Sequence, residues 1–214
     1  MFEIIKSGGW LMLPIITCSI IALAISVERI LALRITKVAP PQLLAEVWGW
    51  VKNNQLDANK IRDLKQSSPL GLLLATGLTN ARHGRDAMKE SLEESATVVV
   101  YGMERYLNAL GTVALVAPMF GLIGAILGIM DVFNQIRLQG NTDPTILAGG
   151  IAEALVTTAA GLMVAVPATV MHRFFNGRIT TLILMLEQEA LKLVDALHGE
   201  RKVELKAELL KDNR

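Results

Sequence analysis

Residues 106–130 read YLNALGTVALVAPMFGLIGAILGIM, and residues 154–171 read ALVTTAAGLMVAVPATVM. Neither stretch contains a charged side chain. A hydrocarbon core about 30 Å thick is crossed by roughly 20 helical residues at about 1.5 Å each. Lipid offers backbone N–H and C=O groups no partners, so a chain within it satisfies them through its own i to i−4 ladder. A third uncharged run, Ser7 to Val27, meets the same length requirement. The run beginning at Ala154 extends back through Pro144 once Glu153 is admitted to the helix.

The whole composition agrees with three membrane helices. Of 214 residues, 52% are hydrophobic, and the mean hydropathy is +0.43, more apolar surface than a water-soluble domain of this size requires. The net charge of +1 and the lack of a basic stripe interleaved with aromatics argue against a nucleic-acid partner. A single cysteine, Cys18, excludes an intrachain disulfide framework or a cysteine-based metal site, and no cofactor or metal is expected.

Basic residues are retained on the cytoplasmic side and therefore orient the spans. Eleven of the 21 lie between Arg29 and Arg105, and eight follow from Arg173 onward. Lys6 and Arg137 alone fall on the opposite side. The expected fold is an all-α integral membrane protein with the amino terminus outside and the carboxyl terminus inside. Its parts are an external segment and first span over 1–33, a cytoplasmic helical domain over 34–105, a second span over 106–133, a periplasmic loop over 134–145, a third span over 146–172 and a cytoplasmic helix over 173–214. The first span also resembles a signal peptide, with Ala22-Leu23-Ala24 as a small-residue cleavage site. Its length and the immediate Arg29, Arg34 and Lys37 favour a retained helix.

In the cytoplasmic segment, Pro40-Pro41 and Ser67-Ser68-Pro69 mark helix boundaries. One helix is predicted from Pro41 to about Asn53, and a longer one from Asp86 running directly into the second span. Beyond Arg173, the positions Ile179, Leu182, Ile183, Leu186, Ala190, Leu193, Val194 and Leu197 keep a helical period, so the third span is predicted to continue as one amphipathic helix. Its apolar stripe requires either the helix before the second span or a neighbouring subunit. Arg29, Arg34 and Arg173 are candidates for anionic lipid head groups.

Helices in lipid associate through small residues. Pro118, Gly121, Gly124 and Gly128 in the second span, and Gly161 and Pro167 in the third, are the expected packing positions. Glu153 is the leading functional candidate, because an ionisable group within a span is costly and faces a bundle interior or wet cavity; with a span that begins only at Ala154, the carboxylate lies at the external interface instead. Thr157 follows one turn later with Thr158 beside it, a polar patch able to pass protons or hold an ion. Threonines in such helices also simply bond back to the i−4 carbonyl.

Residues 117–130, APMFGLIGAILGIM, followed by residues 151–167, IAEALVTTAAGLMVAVP, resemble the paired signature of the MotA/TolQ/ExbB proton channel family. The three-span arrangement matches its ExbB/TolQ branch better than the four-span MotA branch. The resemblance implies a homopentamer around single-span partners of the ExbD/TolR type, energising an envelope process at the bacterial inner membrane through TonB-like or TolA-like proteins. It places Glu153 and Thr158 along the proton pathway, with Thr157 a lesser candidate. One departure is Ala125, where members of the branch commonly carry threonine. Thr112 lies too far along the helix to replace it. The departure supports an alternative, a non-conducting scaffold that assembles a partner complex. An enzyme is disfavoured: His83, His172 and His198 are scattered, and no HExxH or GxSxG motif occurs.

Overall fold

The structure, a computed structural model, describes residues 9–53, 55–139 and 144–212, with side chains described through Leu197 except at 139 and 146. Lys6, Ser7 and positions 140–143 of the expected loop lie outside the described residues. Among these residues there is no strand, and three helices are long and apolar enough to cross a membrane. The chain is an all-α membrane protein. It divides into two compact units, one formed by Met1–Arg29 with Tyr106–Asn176, the other by Ile30–Arg105 with Gly177–Arg214.

The first unit begins with most of helix α1, Met12–Ala32. Leu13, Ile20 and Leu23 are exposed on it while Met12, Ile15 and Ala22 are buried, the pattern of a helix with one side against protein and the other suited to lipid. Arg29, in its last turn, is only 4% exposed. It donates from Nη2 to Glu28 Oε1 at 2.7 Å, and its guanidinium stands 5.7 Å from the centroid of the Tyr106 ring. This geometry corrects the head-group expectation for Arg29, whose guanidinium is enclosed by protein rather than presented at a surface. Arg34 and Arg173 are exposed.

The second unit contains the short helices α2, Ile35–Val38, α3, Leu43–Lys52, and α4, Ala58–Ser67, then α5, Pro69–Asn80, and α6, Arg85–Glu104. Capping chemistry sets their starts. Asp57 accepts from Ala58 N at 2.7 Å, and Ser68 accepts from Gly71 N at 3.0 Å with Pro69 pre-set for the first helical position. Helix α5 packs against α4 and α6. Helix α8, Pro144–Asp212, contributes residues to both units. In the second unit its stripe Ile179, Leu182, Leu186, Ala190, Leu193 and Val194 is buried. The partner of that stripe lies in the same chain. A Cβ added at Gly77 of α5 would meet Met88 Cε of α6 at 2.9 Å and Leu193 Cδ2 of α8 at 3.2 Å, and Arg85 Nη2 pairs with Asp195 Oδ1 at 2.7 Å. Each fully buried leucine there contributes about 1.5–3 kcal/mol of hydrophobic stabilisation.

Two expectations change. The helix from Asp86 does not run directly into the second span: α6 ends at Glu104, and α7, Leu107–Gln139, begins after a break at Arg105 and Tyr106. Arg105 is extended (ψ 135), and Tyr106 has φ +64, so neither continues a right-handed ladder. The ladder restarts where Leu110 N donates to Tyr106 O at 3.0 Å. The expected 134–145 loop is also shorter, since α7 keeps Asn134 to Gln139 helical and α8 begins at Pro144. Polar residues there end the apolar run without ending the helix, because Asn134, Gln135 and Arg137 are all compatible with helical backbone.

Candidate functional site

Helices α7 and α8 meet along a seam of small residues within the first unit. A Cβ added at Gly161 would lie 2.7 Å from Ala117 O and 3.1 Å from Gly121 Cα. At Gly121 it would lie 2.9 Å from Thr157 O, and at Gly124 2.9 Å from Thr157 Cβ. At Gly128 the nearest atoms are Gly150 O at 3.3 Å and Ala154 N at 3.5 Å, and at Gly150 the added carbon would run into the Val132 side chain. The backbones therefore approach as closely as hydrogen in place of a side chain allows, the packing mode that small residues make possible in lipid. The structure brings Gly121, Gly124, Gly128 and Gly161 together in this seam. Pro118 is half-buried in α7, and Pro167 is exposed on α8. Each removes one donor from its helix ladder.

Thr157 and Thr158 sit on α8 opposite Gly121 and Gly124. Thr157 is 1% exposed, and its Oγ1 donates to the carbonyl of Glu153 at 2.9 Å or of Ala154 at 3.1 Å. Thr158, half-buried, donates to Ala154 O at 2.9 Å and stands 3.4 Å from Gly121 O. Both hydroxyls thus bond back to their own helix, the bland arrangement for threonine in a span. Both side chains face α7, but only the Thr158 hydroxyl comes within hydrogen-bond distance of a carbonyl there. Ala125 is half-buried beside Gly124.

Glu153 lies nine residues into α8, about 13 Å along the axis from Pro144. It is half-buried, and its carboxylate occupies the space that a side chain at Gly9 would need. Gly9 has φ +66, so glycine suits this position both for its backbone and for the carboxylate against it. Glu153 lines a cavity of about 290 Å³ with Gly9, Trp10, Gly128, Asp131 and Asn134 among its walls. Sequence reading passed over Gly9, Asp131 and Asn134. The signal available for Asp131 was its position directly after the uncharged run ending at Met130, where a charge reads as the end of a span. No group of three or more metal-ligating side chains occurs among the described residues.

Comparison with known proteins supplies the context for this seam and carboxylate. Residues 65–188 match the profile of the MotA/TolQ/ExbB proton channel family. A biopolymer transport protein ExbB homologue of Methanothermobacter thermautotrophicus is 32% identical over 180 residues, covering 83% of this chain and 63% of the relative. An ExbB-like protein of Synechocystis is 29% identical over 169 residues, covering 78% of this chain and 66% of the relative. ExbB of Salmonella typhimurium is 39% identical over 88 residues, 41% of this chain and 36% of that protein. The chain spans less than two thirds of the length of these relatives.

Proposed function

Since the chain belongs to the MotA/TolQ/ExbB proton channel family, we propose that it is the ExbB-type channel subunit of an inner-membrane motor, using the proton motive force to energise transport or another process at the cell envelope. In this reading the amino terminus and the connection between α7 and α8 face the periplasm, and the second unit lies in the cytoplasm. Five copies surround ExbD/TolR-like single-span partners, and TonB-like or TolA-like proteins carry the motion outward. The chain itself transforms no substrate and acts by passing protons.

The observation that carries the proposal is the placement of Glu153. A carboxylate about 13 Å inside a membrane helix is costly unless it faces water or a partner, and here it borders a cavity. The glutamate accepts and releases the proton, and the Thr158 hydroxyl, five residues further along α8, extends the polar path. Thr157 holds the seam together against Gly124 and is the lesser participant.

One observation favours the scaffold alternative: both threonine hydroxyls are bonded to carbonyls of α8. Glu153→Gln separates the two readings. In a motor the complex assembles with unchanged mass and composition but loses proton flux and the process it drives. A scaffold tolerates the change in every readout. Gentle extraction of the tagged complex, with its mass and copurifying proteins determined, tests the partner assignment. Absence of a single-span protein bearing a membrane aspartate would refute it.

A further inference from the structure

We propose that Asp131 is the entry carboxylate of the same pathway, taking up the proton before Glu153 does; this rests on the channel reading above. Asp131 belongs to α7 and Glu153 to α8, yet both line one cavity, with Asn134 as its third polar side chain. Among the described residues, no lysine, arginine or histidine contributes to those walls. The formal charges that the described residues bring to the cavity are therefore negative, which favours a cation over an anion.

The seam fixes the relative depth of the two carboxylates. Gly124 faces Thr157, and Gly128 faces Gly150 and Ala154. Asp131, three residues beyond Gly128, therefore stands about one turn, roughly 5 Å, nearer than Glu153 to the connected ends of α7 and α8. Asn134 follows Asp131 after another three residues, on the same side of α7. From the connected ends inward, the polar groups come in the order Asn134, Asp131, Glu153, then the threonines. Exposure is lower on the inner side of this order: Asn134 and Asp131 are exposed, Glu153 and Thr158 are half-buried, and Thr157 is buried. A cation following it would lose hydration in stages.

Asp131 directly follows the apolar run that ends at Met130, and Asn134, Gln135 and Arg137 come after it on the same helix, so it stands at the mouth of the cavity rather than within the span, where a carboxylate can meet water and gather cations. A cavity of about 290 Å³ has room for several waters, each of which takes roughly 30 Å³ in the liquid. The transfer balances simply. An O–H bond forms at the Asp131 carboxylate as a hydronium ion gives up its proton, then breaks as the proton passes through water to the Glu153 carboxylate. No electrons change hands, and Asp131 returns to its ionised form.

The test uses the chain copurified with its single-span partner and reconstituted in vesicles carrying an internal pH dye, with proton flux followed after an imposed gradient. Wild type, Asp131→Asn, Asp131→Glu and Glu153→Gln are compared at equal complex mass. Loss of flux is expected for Glu153→Gln, a fall of at least about tenfold for Asp131→Asn, and recovery with Asp131→Glu. Millimolar formate should restore flux in Asp131→Asn but not in Glu153→Gln, which also reports formate leak through the lipid. Wild-type flux in Asp131→Asn alongside an inactive Glu153→Gln would overturn the inference and leave the channel reading intact. A reduced Asp131→Asn flux that neither glutamate nor formate restores would also overturn it, by making Asp131 structural. Wild-type vesicles that conduct no better than protein-free ones would refute both readings.

Discussion

Replacing Gly161 with alanine tests whether the seam between α7 and α8 holds the first unit together. The added methyl would lie 2.7 Å from Ala117 O, 3.1 Å from Gly121 Cα and 3.3 Å from Gly121 N. All three are backbone atoms, so no rotamer can yield. Ordinary contact would require the helices to part by about 0.7 Å, forfeiting part of the dispersion attraction along the seam. Such overpacking costs about 1–3 kcal/mol, whereas glycine to alanine within a helix returns about 1 kcal/mol of propensity. Gly149→Ala, on the same helix with no atom within 4 Å of the new methyl, isolates the propensity gain. The difference between the two variants is therefore expected to be about 1–3 kcal/mol in favour of Gly149→Ala. Equilibrium unfolding of the purified protein in mixed micelles, followed by far-UV circular dichroism, provides the readout. Equal stability of the two variants would refute the close-backbone seam.

Three further perturbations bear on the rest of the fold. Leu193→Ala removes a side chain that is 1% exposed and packed near Gly77, and should lower stability by about 2–5 kcal/mol in the same unfolding measurement. Tyr106→Ala should be about 1–2 kcal/mol less stable than Tyr106→Gly, because only glycine adopts φ +64 without strain; both lose the ring under Arg29, so the comparison isolates the backbone, and equal stabilities would contradict the left-handed junction. Asp195→Asn breaks a pair whose side chains are about half exposed, and thermal unfolding should change by less than about 1 kcal/mol.

Much of this architecture was legible from patterning. Uncharged runs of sufficient length identified the three spans, the helical period from Ile179 to Leu197 identified the continuation of α8, and Ser68-Pro69 marked the start of α5. Each of these signals is local, and each reflects a physical requirement of the segment that carries it. The break at Tyr106 had no such signal, since neither glycine nor proline occupies Arg105 or Tyr106. The burial of Arg29 depends on Tyr106, 77 positions away, and basic residues beside a span read more naturally as surface groups. Glu153 drew notice because it interrupts an otherwise apolar helix. Asp131 did not, because a charge at the edge of an apolar run and a charge inside a longer helix look alike until the helix end is located at Gln139. The pairing of the two carboxylates in one cavity requires the antiparallel register of α7 and α8, which lies beyond any single segment.

The contact of α7 with α8 through bare backbone has a mechanical consequence. Side chains that interdigitate can exchange rotamers and let two helices slip; glycine against carbonyl oxygen has no such freedom. Rolling α7 would turn Ile123 or Ala125, the chain neighbours of Gly124, toward Thr157, where the structure leaves no room for a side chain. The two helices are keyed against rolling, like a spline in its slot. Rotation of either helix against its other neighbours must then involve the remaining faces of this pair, where Leu122, Ile126, Leu155 and Val166 present exposed side chains that can rearrange.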